Sequence, residues 1–221
     1  DYIFAGLDTF DHPIRRECRG IKFGADGEII ARPYHKFFNL DEKPETQKAV
    51  IDWSKPHVVL EKLDGSMVHP ALVDDRILWM TRAGVTEIAD AAATFAARLD
   101  IADRCRPLLE SGITPIFEWC SPQNQIVVRY THDRLILTGM RQMVSGEYLP
   151  LEGWFDIVAQ YSQEVRDLVA FLAHTRDLKD QEGYVVRFNT GAMLKIKADD
   201  YVTRHKARDS ILLEKNVLRI V

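Results

Sequence analysis

The sequence predicts an α+β domain, antiparallel sheets flanked by helices, and three observations carry the prediction. Short apolar runs are separated by turn signals at Ala25-Asp26-Gly27, Asp74-Asp75 and Asn189-Thr190-Gly191, the pattern left by hairpins. Two longer stretches replace it with helical periodicity. No internal repeat or low-complexity linker interrupts the pattern, so strands and helices belong to one layered body.

In chain order, the first hairpin turns at 25–27, and strands follow over Val58–Glu61 and Met67–Val73. An alanine-rich helix is expected from Thr86 to Glu110, broken near Pro107 because proline removes a helix hydrogen bond. An apolar strand passes through Ile116-Phe117. From Glu152 to His174, residues Trp154, Ile157, Val158, Tyr161, Val165, Leu168, Val169 and Leu172 recur at three- and four-residue steps, which predicts a second helix with a core-facing stripe. Strands flank the turn at 189–191. A third helix runs from about Val202, with Ile211, Leu212 and Leu218 apolar.

At 221 residues and 46% apolar content the chain can bury a large core in one domain, with small appendages at most. A net charge of -4 argues against a uniformly basic nucleic-acid binder. Basic residues nevertheless gather late, at Lys195, Lys197, Arg204, His205, Lys206 and Arg208, as either a local groove or a solvated helix face. Cys18, Cys105 and Cys120 are too scattered for a disulfide framework or a zinc site, which suggests a reducing compartment. No apolar run approaches the ~20 residues needed to span a bilayer and no signal-peptide pattern opens the chain, so a cytoplasmic location is expected. His35, His132 and His174 show no ligand spacing.

The segment carrying most chemistry is Leu60-Glu61-Lys62-Leu63-Asp64-Gly65-Ser66-Met67. A lysine amine attacks only when unprotonated, against a reference pKa of ~10.4. Desolvation or nearby cations favour the neutral amine, and a lysine so activated is a covalent catalyst. Gly65 permits a tight turn or a close approach, and Asp64 and Ser66 offer hydrogen bonds that can fix the loop and a nucleotide. The same residues would also suit an Asp-Gly hairpin between the two flanking strands, with Lys62 solvated. Lys195 and Lys197, two apart in a strand-like run, share a face that suits a triphosphate, or that guards a sheet edge. Glu118 follows an apolar run, where a carboxylate needs a partner, and a ligand is one candidate. Glu182 begins another strand, as a Mg²⁺ ligand or a turn residue. Lys36 either binds phosphate or flanks a surface strand, Phe38 either packs on a base or fills the core, and Tyr201 either lines a cleft or caps the core.

Taken together, Glu17-Cys18-Arg19-Gly20-Ile21, Lys36-Phe37-Phe38-Asn39-Leu40, Lys62-x-Asp-Gly-Ser66, Phe117-Glu118 with Asn124-x-Ile126-Val127, Glu182-Gly-Tyr-Val185 and Lys195-Ile-Lys197 resemble the adenylyltransferase domain of the ATP-dependent RNA ligases of the T-even phage type. These enzymes of the covalent nucleotidyltransferase superfamily seal single-stranded breaks such as cleaved tRNA anticodon loops. The resemblance runs from about Tyr2 to the C-terminus. It implies a nucleotidyltransferase fold of the DNA/RNA ligase, ATP-grasp-like kind, two antiparallel sheets around a nucleotide cleft, over residues 1–221. The family's further C-terminal helical domain is expected to be absent or only begun after about residue 202, and a short N-terminal piece to be missing.

The resemblance also implies roles. Lys62, Asp64 and Gly65 are the catalytic motif, Lys62 attacking ATP. Arg19, Lys36, Phe38, Glu61, Ser66, Arg82, Glu118, Lys195, Lys197 and Tyr201 contact the nucleotide, with Lys195 and Lys197 on the α-phosphate. Glu182 and Glu118 hold Mg²⁺, with Mn²⁺ an alternative. Arg82 stands where a lysine is expected, and the two cations differ in geometry and hydration. The implied partners are RNA ends bearing 5′-phosphate and 3′-hydroxyl groups, such as those of nicked tRNA, in a bacterial or phage-infected cytoplasm. DNA ligases and mRNA guanylyltransferases of the same superfamily commonly carry arginine two residues after the motif glycine, where this chain has Met67. A catalytically inactive RNA-binding domain is the remaining alternative, and it leaves the joint presence of Lys62, Glu118, Glu182, Lys195 and Lys197 unexplained.

Overall fold

A computed structural model describes residues 5–6, 8–151, 155–161 and 165–217. In chain order the elements are α1 (Pro13–Glu17), β1 (Lys22–Phe23), β2 (Ile29–Ala31), β3 (Phe38–Asn39), β4 (His57–Lys62), β5 (Ser66–Val73), β6 (Arg76–Thr81), α2 (Glu87–Arg98), α3 (Ile101–Glu110), β7 (Ile113–Cys120), β8 (Arg134–Gln142), β9 (Tyr148–Leu149), β10 (Asp156–Ile157), β11 (Gln160–Tyr161), α4 (Leu168–Asp177), β12 (Gly183–Phe188), β13 (Met193–Lys197) and α5 (Asp199–Val217). They form two compact units, one from Asp1–Phe37, Gly65–Asn124 and Thr131–Val158, the other from Phe38–Asp64, Gln125–Tyr130 and Ala159–Val221.

The first unit holds the β1–β2 hairpin and a sheet ordered β10-β8-β7-β5-β6, with β9 paired to β8. Asp74 and Asp75 turn β5 into β6 with positive φ at both positions, 47° and 60°, the geometry of the primed hairpin turns that match sheet twist. Thr86 caps α2 by accepting a hydrogen bond from the Ala89 amide. Ala89, Ala92 and Ala96 are fully buried, so the helix lies close against the sheet, over a core that contains Trp79, Phe117, Trp119 and Leu137.

The helix expected over Thr86–Glu110 is two helices, and the break lies at Leu99-Asp100, not near Pro107. Asp100 adopts φ 53°, which ends one helix and starts the next, while Pro107 sits inside α3. A mid-helix proline costs ~3 kcal/mol. Burial of Ile101, Cys105 and Leu109 on the same helix face offsets it at ~1.5–3 kcal/mol per large apolar side chain.

The second unit holds a sheet ordered β11-β4-β12-β13-β3, packed against α4. All three expected hairpin turns are present, the last with Gly191 at φ 84°. The sheets are mixed, not purely antiparallel: β10 runs parallel to β8, and β13 parallel to β3. β4 and β5 lie in different sheets, so the Lys62–Gly65 segment is no hairpin turn.

Among the described residues of Glu152–His174, the expected helix is present only from Leu168. Asp156–Ile157 form β10 and Gln160–Tyr161 form β11, and α4 begins only at Leu168, where Asp167 caps the Ala170 amide. Glu152 and Trp154 lie outside the described residues. The Val158 amide donates to the Leu137 carbonyl and the Ala159 carbonyl accepts from the Glu61 amide, at 2.9 and 3.0 Å, so pairing to distant strands overrides the local period. Nor is the stripe uniformly core: Val158 and Val165 are buried, but Tyr161 and Val169 are exposed. The third helix is present and starts at Asp199, three residues before Val202; Leu218 lies outside the described residues.

Candidate active site

β4, β12 and β13 align so that Lys62 stands opposite Gly183 and Gly183 opposite Lys197. Gly183 has φ 135°, and a Cβ there would collide with the Ile196 carbonyl, so this crossing point requires glycine. The preceding residue, Glu182, is therefore turned into the space between the two lysines. One of its oxygens accepts from Lys62 Nζ at 2.8 Å and the other from Lys197 Nζ at 3.0 Å. The Glu182 side chain is only 4% exposed, against 19% for Lys62 and 28% for Lys197. A carboxylate this buried is tolerable because both of its oxygens are paired. Lys195 shares the face of Lys197, while Leu194 and Ile196 are buried on the opposite face, as two-residue spacing requires.

Asp64, 2% exposed, is fully enclosed by protein donors. Its Oδ2 accepts from the Val127 and Val128 amides and its Oδ1 from the Tyr201 hydroxyl, all at 2.7 Å. Its own amide donates to the Tyr130 hydroxyl at 3.0 Å. Burial first, then the Glu182 and Asp64 carboxylates, push the Tyr201 phenol up from its ordinary value, which keeps it a neutral donor. Lys197 Nζ lies 5.0 Å over its ring. Tyr201 is thus a buried anchor of the motif aspartate, with Ala198, Val127 and Val128 around it.

Ser66 opens β5 in the first unit, directly after Gly65. Gly65 has no positive φ; a Cβ there would run into the Trp119 carbonyl, so close approach and not turn geometry demands glycine. The Gly65 amide donates to Glu118 Oε1 at 3.1 Å. Phe117 and Trp119 are buried in the core, which turns Glu118 to the other face of β7. The Ser66 hydroxyl accepts from Asn124 Nδ2 at 3.0 Å.

The other expected residues divide between the units. In the first, Arg82 lies beside Gly20, whose Cβ would come within 3.2 Å of the Arg82 Cα, next in sequence to Arg19. The Lys22 amine donates to the Arg82 carbonyl at 2.8 Å. Lys36 Nζ stands 5.3 Å over the Phe10 ring. In the second, Phe38 is buried on β3 with Lys43 Nζ 5.6 Å from its ring centre, and Glu61 stands opposite Tyr184.

Sequence reasoning missed the amides of Val127 and Val128 and the hydroxyl of Tyr130, which no side-chain pattern reports. It also missed the part Glu17 plays. Glu17 bonds Arg32 at 3.0 Å and Arg141 at 2.9 Å. Burial alone would raise its carboxyl, but the two guanidiniums hold it below the usual range. Arg141 further donates to the Pro33 and Gly146 carbonyls, so the network fixes the chain leading to Lys36.

Among the described residues, no group of three or more His, Cys, Asp or Glu side chains could hold a metal ion alone. Each of Glu182 and Glu118, engaged respectively with Lys62 and Lys197 and with the Gly65 amide, is a carboxylate of the kind of which Mg²⁺ takes one or two, completing its shell with water and substrate phosphates.

This α+β architecture is that of the nucleotidyltransferase fold of RNA ligases. It aligns with an archaeal ATP-dependent RNA ligase at TM-score 0.61 and 18% identity, covering 82% of this chain and 52% of that one. A Naegleria gruberi RNA ligase variant solved with ATP and Mn aligns at TM-score 0.56 and 21% identity, covering 69% and 52%. A family model described as RNA ligase matches residues 17–207, and the chain belongs to that family. A putative RNA ligase of Thermovibrio ammonificans is 35% identical over 218 residues, which is 93% of this chain and 57% of the relative. RNA ligase 1 of Bacteriophage TS2126 is 30% identical over 212 residues, 86% and 54%. The chain thus spans a little over half the length of these relatives. Among the described residues no helix is long and apolar enough to cross a membrane.

Proposed function

We propose that this chain is the adenylyltransferase part of an ATP-dependent RNA ligase, and that Lys62 carries AMP covalently. The observation that supports this best is the Lys62–Glu182–Lys197 cluster, a single amine at a strand end with a buried carboxylate at 2.8 Å and a second ammonium beyond it. The amine attacks only after losing its proton, and Glu182 is the group in contact with it. In the first step Lys62 Nζ bonds the α-phosphorus of ATP and the bond to pyrophosphate breaks. Lys195 and Lys197 neutralise charge on the phosphate oxygens, and Arg19 and Lys36 bind phosphates, with Arg82 beside them. Phe38, Glu61 and Ser66 line the nucleotide, and Asp64 with Tyr201 holds the lysine-bearing segment in place. Glu182 and Glu118 would hold Mg²⁺ or Mn²⁺, which supplies neutralisation of the triphosphate charge.

AMP then passes from Lys62 to the 5′-phosphate of an RNA end. The 3′-hydroxyl of another end attacks that phosphate, AMP leaves and the break is sealed. The substrates are RNA breaks with 5′-phosphate and 3′-hydroxyl termini, as in nicked tRNA, repaired in the cytoplasm. Incubation with α-labelled ATP and Mg²⁺ should label the protein covalently and Lys62→Ala should abolish the label. A label that survives Lys62→Ala, or no label at all, refutes the proposal. Competition by GTP, or a preference for nicked duplex DNA over RNA, would favour a guanylyltransferase or DNA ligase instead.

A further inference from the structure

The second unit carries a pocket of about 420 Å³ walled by the turn after β3, the end of α4, β13 and the start of α5. Five of its side chains are cationic: Lys48, Arg176, Lys195, Lys197 and Lys206, with His205 beside them. Its carboxylates are Asp41 and Asp199. Asp41 Oδ1 accepts from the Lys48 amide at 2.9 Å, which holds the carboxylate in place and leaves its charge. Among the described residues, Lys48, Arg176 and Lys206 have no carboxylate within ion-pair distance. Lys197 is already paired with Glu182; in a chain of net charge -4, the convergence of Lys48, Arg176 and Lys206 on one concavity beside Asp41 and Asp199 points to an anionic occupant.

The basic residues of α5 do not act alike. Arg204 is committed to the fold, donating to the Val127 carbonyl at 3.0 Å and pairing with Asp180 and Asp200. Val202, His205 and Lys206, at the three- and four-residue spacing of one helix face, line the pocket instead. The pocket joins the candidate active site through Lys197, which it shares with the Glu182 pair. Its Arg176 guanidinium offers the planar fork that matches a phosphate bidentately.

We propose that this pocket binds the phosphate backbone of the RNA strand whose 5′-phosphate is to be adenylylated, a reading that rests on the function proposed above. That 5′-phosphate must reach the AMP carried on Lys62, so the strand's path has to join the Lys62 cluster. A pocket that begins at Lys197 and continues over exposed cations on a loop and two helices provides such a path. Several exposed cations along a groove are the usual means of following a single strand without reading its sequence. The occupant with the same phosphate chemistry is the triphosphate of ATP, and the test separates the two.

Lys48→Ala, Arg176→Ala, Lys206→Ala and the triple variant are compared with the parent chain in three assays: binding of a short 5′-phosphorylated single-stranded RNA across a salt series, sealing of a chemically pre-adenylylated RNA, and labelling by α-labelled ATP. The triple variant should bind RNA roughly tenfold to a hundredfold more weakly, each exposed charge contact being worth a few-fold. Its log–log salt slope should shrink by ~0.7 per lost contact, ~2 in all. Sealing of pre-adenylylated RNA should fall with binding, covalent labelling should be unchanged, and Lys206→Arg should keep most binding while Arg176→Lys, which loses the fork, keeps only part of it. Unchanged RNA affinity and salt slope in the triple variant overturn the proposal. So does unchanged RNA affinity with a raised ATP requirement for labelling, which assigns the pocket to the triphosphate. A parent chain that binds RNA through these residues yet takes no label leaves the pocket standing and sinks the lysyl-AMP reading.

Discussion

Asp64 is the residue whose replacement should report most sharply on how the motif is held. Asp64→Ala removes the acceptor of three buried hydrogen bonds, from the Val127 and Val128 amides and the Tyr201 hydroxyl. A buried donor left without a partner costs ~1–3 kcal/mol. The hydroxyl can rotate but the amides cannot, so the expected loss is about 4 kcal/mol. Asp64→Asn should behave differently: its amide oxygen can accept from both backbone amides, and its NH₂ can donate to the Tyr201 oxygen, which accepts as readily as it donates. Only the charge assistance is lost, ~1–2 kcal/mol. For a domain of this size ~1 kcal/mol moves the melting temperature by ~2–4 °C, so thermal unfolding followed by circular dichroism should show drops of roughly 8–16 °C for alanine and 2–8 °C for asparagine. Equal losses in the two variants, or an alanine variant as stable as the parent, would refute the reasoning.

Two more outcomes follow from the structure. His69 is fully buried, and burial, then the nearby Lys22, push its pKa from 6.5 down to about 4. The unfolded chain therefore takes up a proton that the folded chain refuses. Stability is complete above about pH 6.5 and falls, by up to ~3 kcal/mol from this ring, as pH drops toward 4; His35, also lowered to about 4 by burial and Arg141, acts in the same direction. Urea midpoints against pH should slope across that window, and His69→Leu should flatten the slope. Gly183→Ala puts a Cβ at φ 135° against the Ile196 carbonyl, which should cost at least ~2 kcal/mol and cut covalent labelling more than tenfold. Labelling and stability equal to the parent's would show that the strand crossing does not position Glu182.

What could be read from the residues alone was local. The hairpins at Asp74-Asp75 and Asn189-Thr190-Gly191 announce themselves because the conformation is set by the turn residues, and the shared face of Lys195 and Lys197 follows from strand period. The 156–161 segment misled for the opposite reason. Its three- and four-residue apolar spacing is a local signal, whereas its pairing with Leu137 and with Leu60 and Val59 is decided by chain far away in sequence. Pro107 misled because a penalty read from one residue was set against burial that only the packed helix reveals. In the candidate site, residue types showed which side chains could do chemistry, but not which touch one another. Nothing in the order of residues says that Glu182 bridges Lys62 and Lys197, or that Asp64 faces two backbone amides. Asn124 and Val127 were legible only as part of the family pattern, and their contacts give that pattern a physical reason.

The net charge of the chain is a poor guide to what it binds, and the second unit shows why. Screening at physiological salt confines electrostatic attraction to ~8 Å, so a ligand responds to the charges lining its pocket and not to the sum over the surface. Glu182 pairs with two lysine amines, those of Lys62 and Lys197, through one carboxylate, so cationic side chains outnumber carboxylates in that cluster. Elsewhere in the unit, carboxylates are consumed by fold-supporting partners, Asp180 and Asp200 by Arg204 and Asp64 by its three donors. An acidic chain can thus present a locally cationic surface, provided its excess carboxylates lie elsewhere. Adding salt should therefore weaken RNA binding steeply, whereas a repulsion governed by the net charge of the chain would be relieved by salt and binding would strengthen.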